Sequence, residues 1–414
     1  MDASRLDPET KPSSLEPQAR AEGPGIPRLL IVPPLGQSPL VDLQDHDIAR
    51  SLVADITLTL CRSRLYEVVA PFTALQLASG AAGYELVPSD YVVLTDVVLC
   101  RRPLPYPLLT IEVIATGSGK RIYRSEVELH SETLLSIHYS FCSVLVDQIC
   151  GQIGIQELLR YRRTGSASAY VHYLMAMKRN DRTDLPSLLR AQKSLLRSVR
   201  LAPDFVPALS QLARTKTLEW LERGSADRTL LTEARHLAQR GNHYEPADSA
   251  SLREIGHATL YLHDLGGALA NYQAAQDLAP NHADLLADQA DVLTHLSRHD
   301  EAEAKISRAF SLNPVAPDDY YWIGGAVSFF RGEYQQAVDR LAAMRTPGLA
   351  LRLMAACAAM NKDLDLAASY RERSLARDPS FTVGKWANLY PEPNQADTAH
   401  YLNALILAGF STGT

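Results

Sequence analysis

The amino-acid sequence predicts an α/β domain followed by an all-α solenoid built from repeated pairs of helices. The solenoid prediction depends on proline endings at Pro280, Pro314, Pro347 and Pro379, which recur at intervals of about 34 residues. A further proline, Pro246, lies one more such interval upstream of Pro280. This spacing is typical of a two-helix unit that stacks on itself and presents a surface to other molecules. The α/β prediction depends on short apolar runs in the first half of the chain.

Those runs follow one another in the order β-α-β-α-β-β-β-α, which predicts a mixed sheet with helices. The strands are expected at residues 29–32, 66–70, 91–99, 108–115 and 121–129, and the helices at 47–61, 72–78 and 133–152. In the first helix, Ile48, Leu52, Ile56 and Leu60 recur every four residues, as on one buried face. The last strand alternates polar and apolar side chains, and residues 116–119 form its entry turn.

Composition and turn residues divide the chain into four expected regions. Residues 1–27 are polar and rich in proline, which predicts a disordered tail. The α/β domain is expected at 28–160 and ends at a basic, turn-rich joint over 160–166. The helical repeats then occupy 161–388, and a capping helix with a tail occupies 389–414.

The repeat itself matches the tetratricopeptide pattern of about 34 residues, with small residues where the two helices cross and a proline after the second. Residues 249–282 fit best, with Gly256 and Ala268 at the crossing and Pro280 at the end. Three units follow in near register. Two weaker units precede, and the second of these is lengthened around residues 222–230. An unrelated helical bundle is the alternative interpretation.

The first helices of such units face a concave groove, and repeat position predicts which side chains lie on or beside it. The predicted partner-binding residues are Arg253, His257, Tyr261, Asp291, His295, Trp322, Phe329, Phe330 and Arg352. Aromatic and arginine side chains are typical anchors of a bound protein or peptide. The alternative for each of them is packing in the core between repeats, where aromatic residues at helical spacing usually lie.

Composition points to an ordinary globular protein. Hydrophobic residues make up 46% and charged residues 21% of the 414, and the net charge is -6, so we expect neither direct nucleic-acid binding nor membrane binding. Five scattered cysteines without a Cys-x-x-Cys pair are typical of reduced thiols, which favours the cytoplasm. Homo-oligomerisation stays open.

Three short motifs suggest chemistry, but their context argues against each. Residues 117–120 lack the first glycine and the final serine or threonine of a phosphate-binding loop, and they lie between two strands. Residues 409–413 spell Gly-x-Ser-x-Gly, but they follow a helix rather than a strand. His295 and His299 straddle an expected turn without the glutamate of a His-Glu-x-x-His zinc motif. We therefore expect no catalytic residue, no metal and no cofactor.

Several segments of the first half together resemble a known domain. Arg28-Leu-Leu-Ile-Val-Pro-Pro-Leu, Tyr66-Glu-Val-Val-Ala-Pro and Tyr91-Val-Val-Leu-Thr, with the strands from Leu109 and Gly119 and the helix 134–153, are similar to the TolB N-terminal-like (FlgO-like) domain of proteobacterial regulators. Such domains are commonly followed by tetratricopeptide repeats. The closing stretch 390–409 is similar to the short helix that ends those proteins.

In that family, a winged-helix DNA-binding domain or a class III nucleotide cyclase domain precedes the TolB-like part. Only the short segment 1–27 precedes Arg28 here, so we expect neither activity in this chain. The resemblance and the repeats together favour a non-enzymatic regulatory or adaptor protein in bacterial signalling or transcription control. The alternatives are a transcriptional regulator acting on DNA through a separately encoded output domain, and an accessory part of a nucleotide-cyclase system.

Overall fold

The fold divides into two compact units. A computed structural model describes residues 25–34, 41–69, 88–100, 106–129, 131–177, 184–223, 227–387 and 394–413. The first unit is Met1–Met175 with Arg197–Phe205, and the second is Ala176–Leu196 with Val206–Thr414. Most of the predicted tail, the predicted helix 72–78 and the start of the closing stretch at 390 lie outside the described residues.

The first unit contains the predicted mixed sheet. Its strands are β1 (Arg28–Val32), β2 (Glu67–Val68), β3 (Tyr91–Cys100), β4 (Tyr106–Ala115) and β5 (Lys120–Glu128), in the spatial order β2-β1-β3-β4-β5. Strand β1 pairs in parallel with β2 and β3, whereas β3, β4 and β5 pair antiparallel. Strand β2 is shorter than the sequence predicts. The α/β class of this half is confirmed.

Two helices pack together in this unit. Helix α1 (Leu43–Ser63) begins before its predicted start and buries Leu52, Ile56 and Leu60, which lie four residues apart. It contacts the long helix α2 (Ser131–Thr164). The predicted turn between β4 and β5 is confirmed: residues Thr116–Ser118 form one 3-10 turn, and Gly119 follows with a φ of 62°.

The end of α2 corrects the sequence prediction of a helix over 133–152 and a basic joint over 160–166. The helix continues to Thr164 because Ile149, Ile153 and Glu157 carry the buried face past Gly151 and Gly154. Glycine in a helix interior costs only about 1 kcal/mol relative to alanine, so it does not end a helix that packing supports. The helix ends at Gly165, which has a φ of 72° and donates its N–H to the carbonyl of Tyr161 at 2.8 Å.

Helices account for the rest of the described chain. They are α3 (Ala169–Met177), α4 (Leu185–Leu201), α5 (Val206–Glu222), α6 (Thr229–Tyr244), α7 (Ser249–Tyr261), α8 (Leu265–Leu278), α9 (Ala283–His295), α10 (His299–Leu312), α11 (Asp318–Phe330), α12 (Tyr334–Ala342), α13 (Leu351–Met360), α14 (Leu364–Arg377), α15 (Val383–Ala387) and α16 (Gln395–Leu407). From α5 to α14 each odd-numbered helix packs on the next helix in the chain, and each such pair packs on the pair that follows. This stacking is the predicted solenoid of helix pairs.

A recurrent turn joins the two helices of each of the last four pairs. His263, Ser297, Gly332 and Lys362 occupy equivalent positions in these turns, and each has a positive φ between 59° and 77°. Asp264 and Asp363 follow two of these residues and cap the next helix by accepting the N–H groups of Gly267 and Leu366. The repetition of one turn conformation shows that the four pairs are copies of one structural unit.

Small residues allow the helices of a pair to approach closely. A Cβ atom on Gly256 of α7 would lie 3.2 Å from the carbonyl oxygen of Ala268 on α8, and one on Gly325 of α11 would lie 2.5 Å from Cγ of Leu341 on α12. These are the crossing positions that the repeat pattern predicts. Within the described ranges, every helix is too short or too polar to serve as a membrane span.

Candidate functional site

The second unit contains a cavity of about 140 Å³. Its walls come mainly from the first helix of each pair, namely α5, α7, α9, α11 and α13, and Trp386 of α15 and Tyr401 of α16 complete it. The alternation follows from the repeat, because equivalent helices in a stack of pairs present equivalent faces. The cavity therefore lies on the side of the unit where the sequence predicts the groove.

Seven of the nine predicted groove residues line this cavity. They are His257, Tyr261, Asp291, His295, Trp322, Phe330 and Arg352. They belong to four successive first helices, so the fold brings together side chains that lie far apart in the sequence.

Phe329 and Arg253 do not line the cavity. Phe329 is fully buried and packs edge-on against Phe330 in the core that contains Leu341, because adjacent helical residues point about 100° apart. Arg253 lies behind the cavity wall, where its guanidinium contacts the carboxylates of Asp288 and Asp284. Phe329 therefore packs in the core between repeats, which is the alternative to a groove position that the sequence leaves open for each of these residues.

Sequence reasoning missed several lining residues. The missed polar and aromatic ones are Arg214, Trp220, Asp288, Asp319, Trp386 and Tyr401, and the missed apolar ones are Leu218, Leu221, Ile323, Ala326, Leu349 and Leu353. The rarity of tryptophan was a usable signal, because all three tryptophans of the chain line the cavity. Trp386 and Tyr401 lie after the last repeat, where no repeat position could place them.

Most carboxylates in and behind the wall face an arginine. Asp288 accepts a hydrogen bond from Nε of Arg253, and both side chains are 13% exposed. Burial opposes ionisation of Asp288, but the Arg253 guanidinium outweighs it and lowers the pKa of this carboxyl to about 2. Arg214 lies 3.4 Å from Glu254 and 3.7 Å from Asp319. The pairs of Arg253 with Asp288 and of Arg214 with Glu254 neutralise charges that burial would otherwise make costly.

Asp291 differs from these carboxylates. The nearest basic side chain to its carboxylate is His295, whose Nε2 lies at 3.7 Å, one helical turn further along α9. No arginine or lysine lies within 4 Å of its carboxylate in the part of the chain that the structure describes. Burial raises the pKa of Asp291, and the neighbouring His295 and His257 only partly oppose that shift.

Aromatic rings surround these charges. Trp220 and Tyr261 lie 5.1 Å apart between ring centroids, and Tyr261 lies 5.6 Å from the His257 ring. The Arg352 guanidinium on α13 lies over the ring of Phe381 at 4.4 Å and over that of Trp386 at 4.7 Å. Burial lowers the pKa of Arg352. The indole Nε1 of Trp220 is buried and has no hydrogen-bond partner among the described residues.

The arrangement provides anchoring groups for a ligand. Rings, two arginines, two histidines and three aspartates converge in the cavity, and its described lining includes no serine, threonine, cysteine or lysine. Across the described ranges, no three histidine, cysteine or acidic side chains form a cluster that could hold a metal ion. A mixed apolar and polar pocket of this kind can recognise a side chain of a partner.

Comparison with known proteins yields distant structural likenesses. The sequence matches no family model and no curated protein. Among solved structures it resembles a thermophilic TPR protein of Thermus thermophilus, with 20% identity over 50% of this chain and 100% of that chain and a TM-score of 0.37. It also resembles the PilF protein of Pseudomonas aeruginosa (15% identity, 51% and 93% covered, TM-score 0.36) and a tetratricopeptide repeat protein of Parabacteroides merdae (16% identity, 57% and 99% covered, TM-score 0.34).

Likenesses of this size carry no argument about function. The architecture of the second unit rests on its own helix pairs, recurrent turns and close crossings, which together form a tetratricopeptide-like solenoid.

Proposed function

We propose that this chain is a non-enzymatic regulatory or adaptor protein that binds a protein or peptide partner in the cavity of its helical repeats. The observation that carries the proposal is the cavity itself, where first helices from successive pairs and the segment after the last repeat bring all three tryptophans together with arginine and tyrosine side chains. Tryptophan, tyrosine and arginine are the residue types that contribute most to protein–protein binding energy.

The cellular setting that we propose is bacterial signalling or transcription control in the cytoplasm. The resemblance of the first half to TolB N-terminal-like domains of regulators supports this setting. The mixed sheet, with a parallel β1–β3 pair and an antiparallel β3–β5 meander, is compatible with it. The pattern of scattered cysteines supports a reducing compartment.

The proposal is tested by capturing the partner from the native host and measuring its affinity for variants of the whole chain. Trp322→Ala combined with Phe330→Ala removes two rings from the cavity and should raise the dissociation constant by at least about 30-fold, as expected for a loss of roughly 2 kcal/mol at an anchoring site. Tyr244→Ala, an aromatic substitution at a side chain 47% exposed and outside the cavity, is the matched control.

Helical circular dichroism of the double variant should equal that of the unsubstituted protein. A partner that binds the folded double variant as tightly as the control would contradict binding in this cavity.

A further inference from the structure

We propose that the cavity accepts a cationic group, the ammonium or guanidinium end of a basic side chain on the partner, with Asp291 as its counter-ion. This inference rests on the proposed function and names the chemistry of the partner at that site. Three features support the inference: the balance of charges around the cavity, the positions of the aromatic rings and the size of the cavity.

The charge balance around the cavity leaves Asp291 without a strong cation. Arg253 forms ion pairs with Asp284 and Asp288. Arg214 lies within 4 Å of Glu254 and Asp319, so two arginines already pair with four carboxylates. The fifth carboxylate, Asp291, has only the His295 ring at 3.7 Å. The carboxylates around this wall of the cavity outnumber the arginines that face them, so a cation entering the cavity gains electrostatic energy in a partly dry site.

Arg352 is the cation in the cavity lining that could repel an incoming cation. Its guanidinium lies over the rings of Phe381 and Trp386, on helix α13 and beside the closing segment rather than on α9. A guanidinium that lies over two aromatic rings is already stabilised by cation–π attraction. The Arg352 guanidinium could still attract an anion, so the test includes an anionic probe.

Aromatic rings line the same cavity as Asp291. Trp220, Tyr261, Trp322 and Phe330 lie on three helices around it. The face of an aromatic ring carries partial negative charge and attracts ammonium and guanidinium groups within about 6 Å. A carboxylate combined with several rings favours a cation over a neutral group of the same shape.

The size of the cavity suits one side-chain end. Its volume of about 140 Å³ is close to that of an engineered cavity of about 150 Å³ that holds a benzene molecule. Burial of Asp291 raises the pKa of its carboxyl, and the nearby charges of Asp288 and Asp319 act in the same direction. A bound cation would oppose both effects by Coulomb attraction, so it would favour the ionised carboxylate.

The test titrates the full chain at neutral pH with three probes of one shape: benzylamine (a cation at this pH), benzyl alcohol (neutral) and benzoate (an anion). Intrinsic tryptophan fluorescence is the readout, because all three tryptophans line the cavity. We expect benzylamine to bind at least about tenfold more tightly than benzyl alcohol, a difference of roughly 1.4 kcal/mol. Asp291→Asn should abolish this preference. Asp277→Asn, which removes an exposed charge on α8, should keep it.

Each outcome decides the proposal. The comparison of benzylamine with benzyl alcohol uses the unsubstituted protein, so equal binding of the two overturns the proposal even if a variant misfolds. Tighter binding of benzoate also overturns it and assigns the cavity to an anion at Arg352. Retention of the cation preference by folded Asp291→Asn protein overturns the role of Asp291.

Failure of this inference can be told apart from failure of the proposed function. A partner that is lost from the Trp322→Ala, Phe330→Ala variant, without any preference for benzylamine, overturns only the cationic inference. A cation preference that depends on Asp291, with a partner that is indifferent to the two ring substitutions, overturns partner binding in the cavity and leaves only the cation preference of the cavity standing.

Discussion

At the scale of single residues, the wall of the cavity depends on charges that are buried in pairs. Arg253 and Asp288 are each 13% exposed, and the same guanidinium also lies 3.4 Å from Asp284. Removing one member of a buried pair costs more than the pair contributes, because the remaining charge is left with little solvent. Asp288 is therefore a structural residue of the wall, although its side chain also reaches the cavity.

We predict that Asp288→Asn destabilises the protein by about 3 kcal/mol at neutral pH, because Arg253 keeps only Asp284 as a carboxylate partner. The pKa of Asp288 is lowered to about 2 in the folded state from the ordinary 3.8. Its carboxylate therefore stabilises the fold fully above the ordinary value and loses this effect as pH falls towards the folded one. The difference between the two proteins should thus shrink in acid. Denaturant unfolding of both proteins at neutral and acidic pH measures this difference in the free energy of unfolding.

The control for this prediction is Asp277→Asn, whose exposed carboxylate should contribute little at either pH. A loss of stability in Asp288→Asn that is the same at neutral pH and near the folded pKa would contradict the assignment of the effect to the ion pair.

At the scale of elements, the crossing of two helices depends on glycine where the backbones meet. A Cβ atom on Gly256 would lie 3.1 Å from the Tyr272 ring and 3.2 Å from the carbonyl oxygen of Ala268. Tyr272 is fully buried, and a backbone oxygen cannot rotate away as a side chain can. Helix propensity and packing therefore oppose each other at this position.

We predict that Gly256→Ala lowers the free energy of unfolding by about 1 kcal/mol, because overpacking of a core costs roughly 1–3 kcal/mol while alanine regains about 1 kcal/mol of helix propensity. Gly266→Ala in the next helix is the matched control. Its Cβ would meet only an oxygen of Asp264 at 4.0 Å, so stability should stay within about 0.5 kcal/mol or rise. Thermal unfolding of both variants measures the difference, and a stabilised Gly256→Ala protein would contradict the close crossing.

Periodicity predicted the elements better than it predicted their ends. Leu52, Ile56 and Leu60 mark the buried face of α1 at their sequence spacing, and the repeat prolines follow the second helices as expected. The sequence predicts the end of α2 too early, because the packing that carries the helix past Gly151 and Gly154 cannot be read from residue spacing. The distinction between Phe329 and Phe330 is likewise a matter of packing, since both have the same chemistry.

At the scale of the whole helical unit, the stack closes on itself around the cavity. Arg214 on α5 reaches Asp319 on α11 at 3.7 Å, and Glu222 at the end of α5 accepts a hydrogen bond from Arg377 on α14 at 3.0 Å. These contacts join helices separated by several pairs. The period of the repeat can be read from the sequence, but closure depends on small rotations between successive pairs, which packing alone determines.

This closure predicts that the first and last pairs of the unit are coupled. Arg377 is 47% exposed, so Arg377→Ala should cost at most about 1 kcal/mol of global stability. Glu222, however, is 10% exposed and loses its cation, so backbone amides near the C-terminal end of α5 should exchange faster with deuterium. Arg373→Ala removes an exposed arginine from the same helix α14 and should leave α5 unchanged. Hydrogen exchange read by mass spectrometry compares the protection of α5 amides in the Arg377→Ala and Arg373→Ala variants. Equal protection of α5 in both variants would indicate that only neighbouring pairs are coupled.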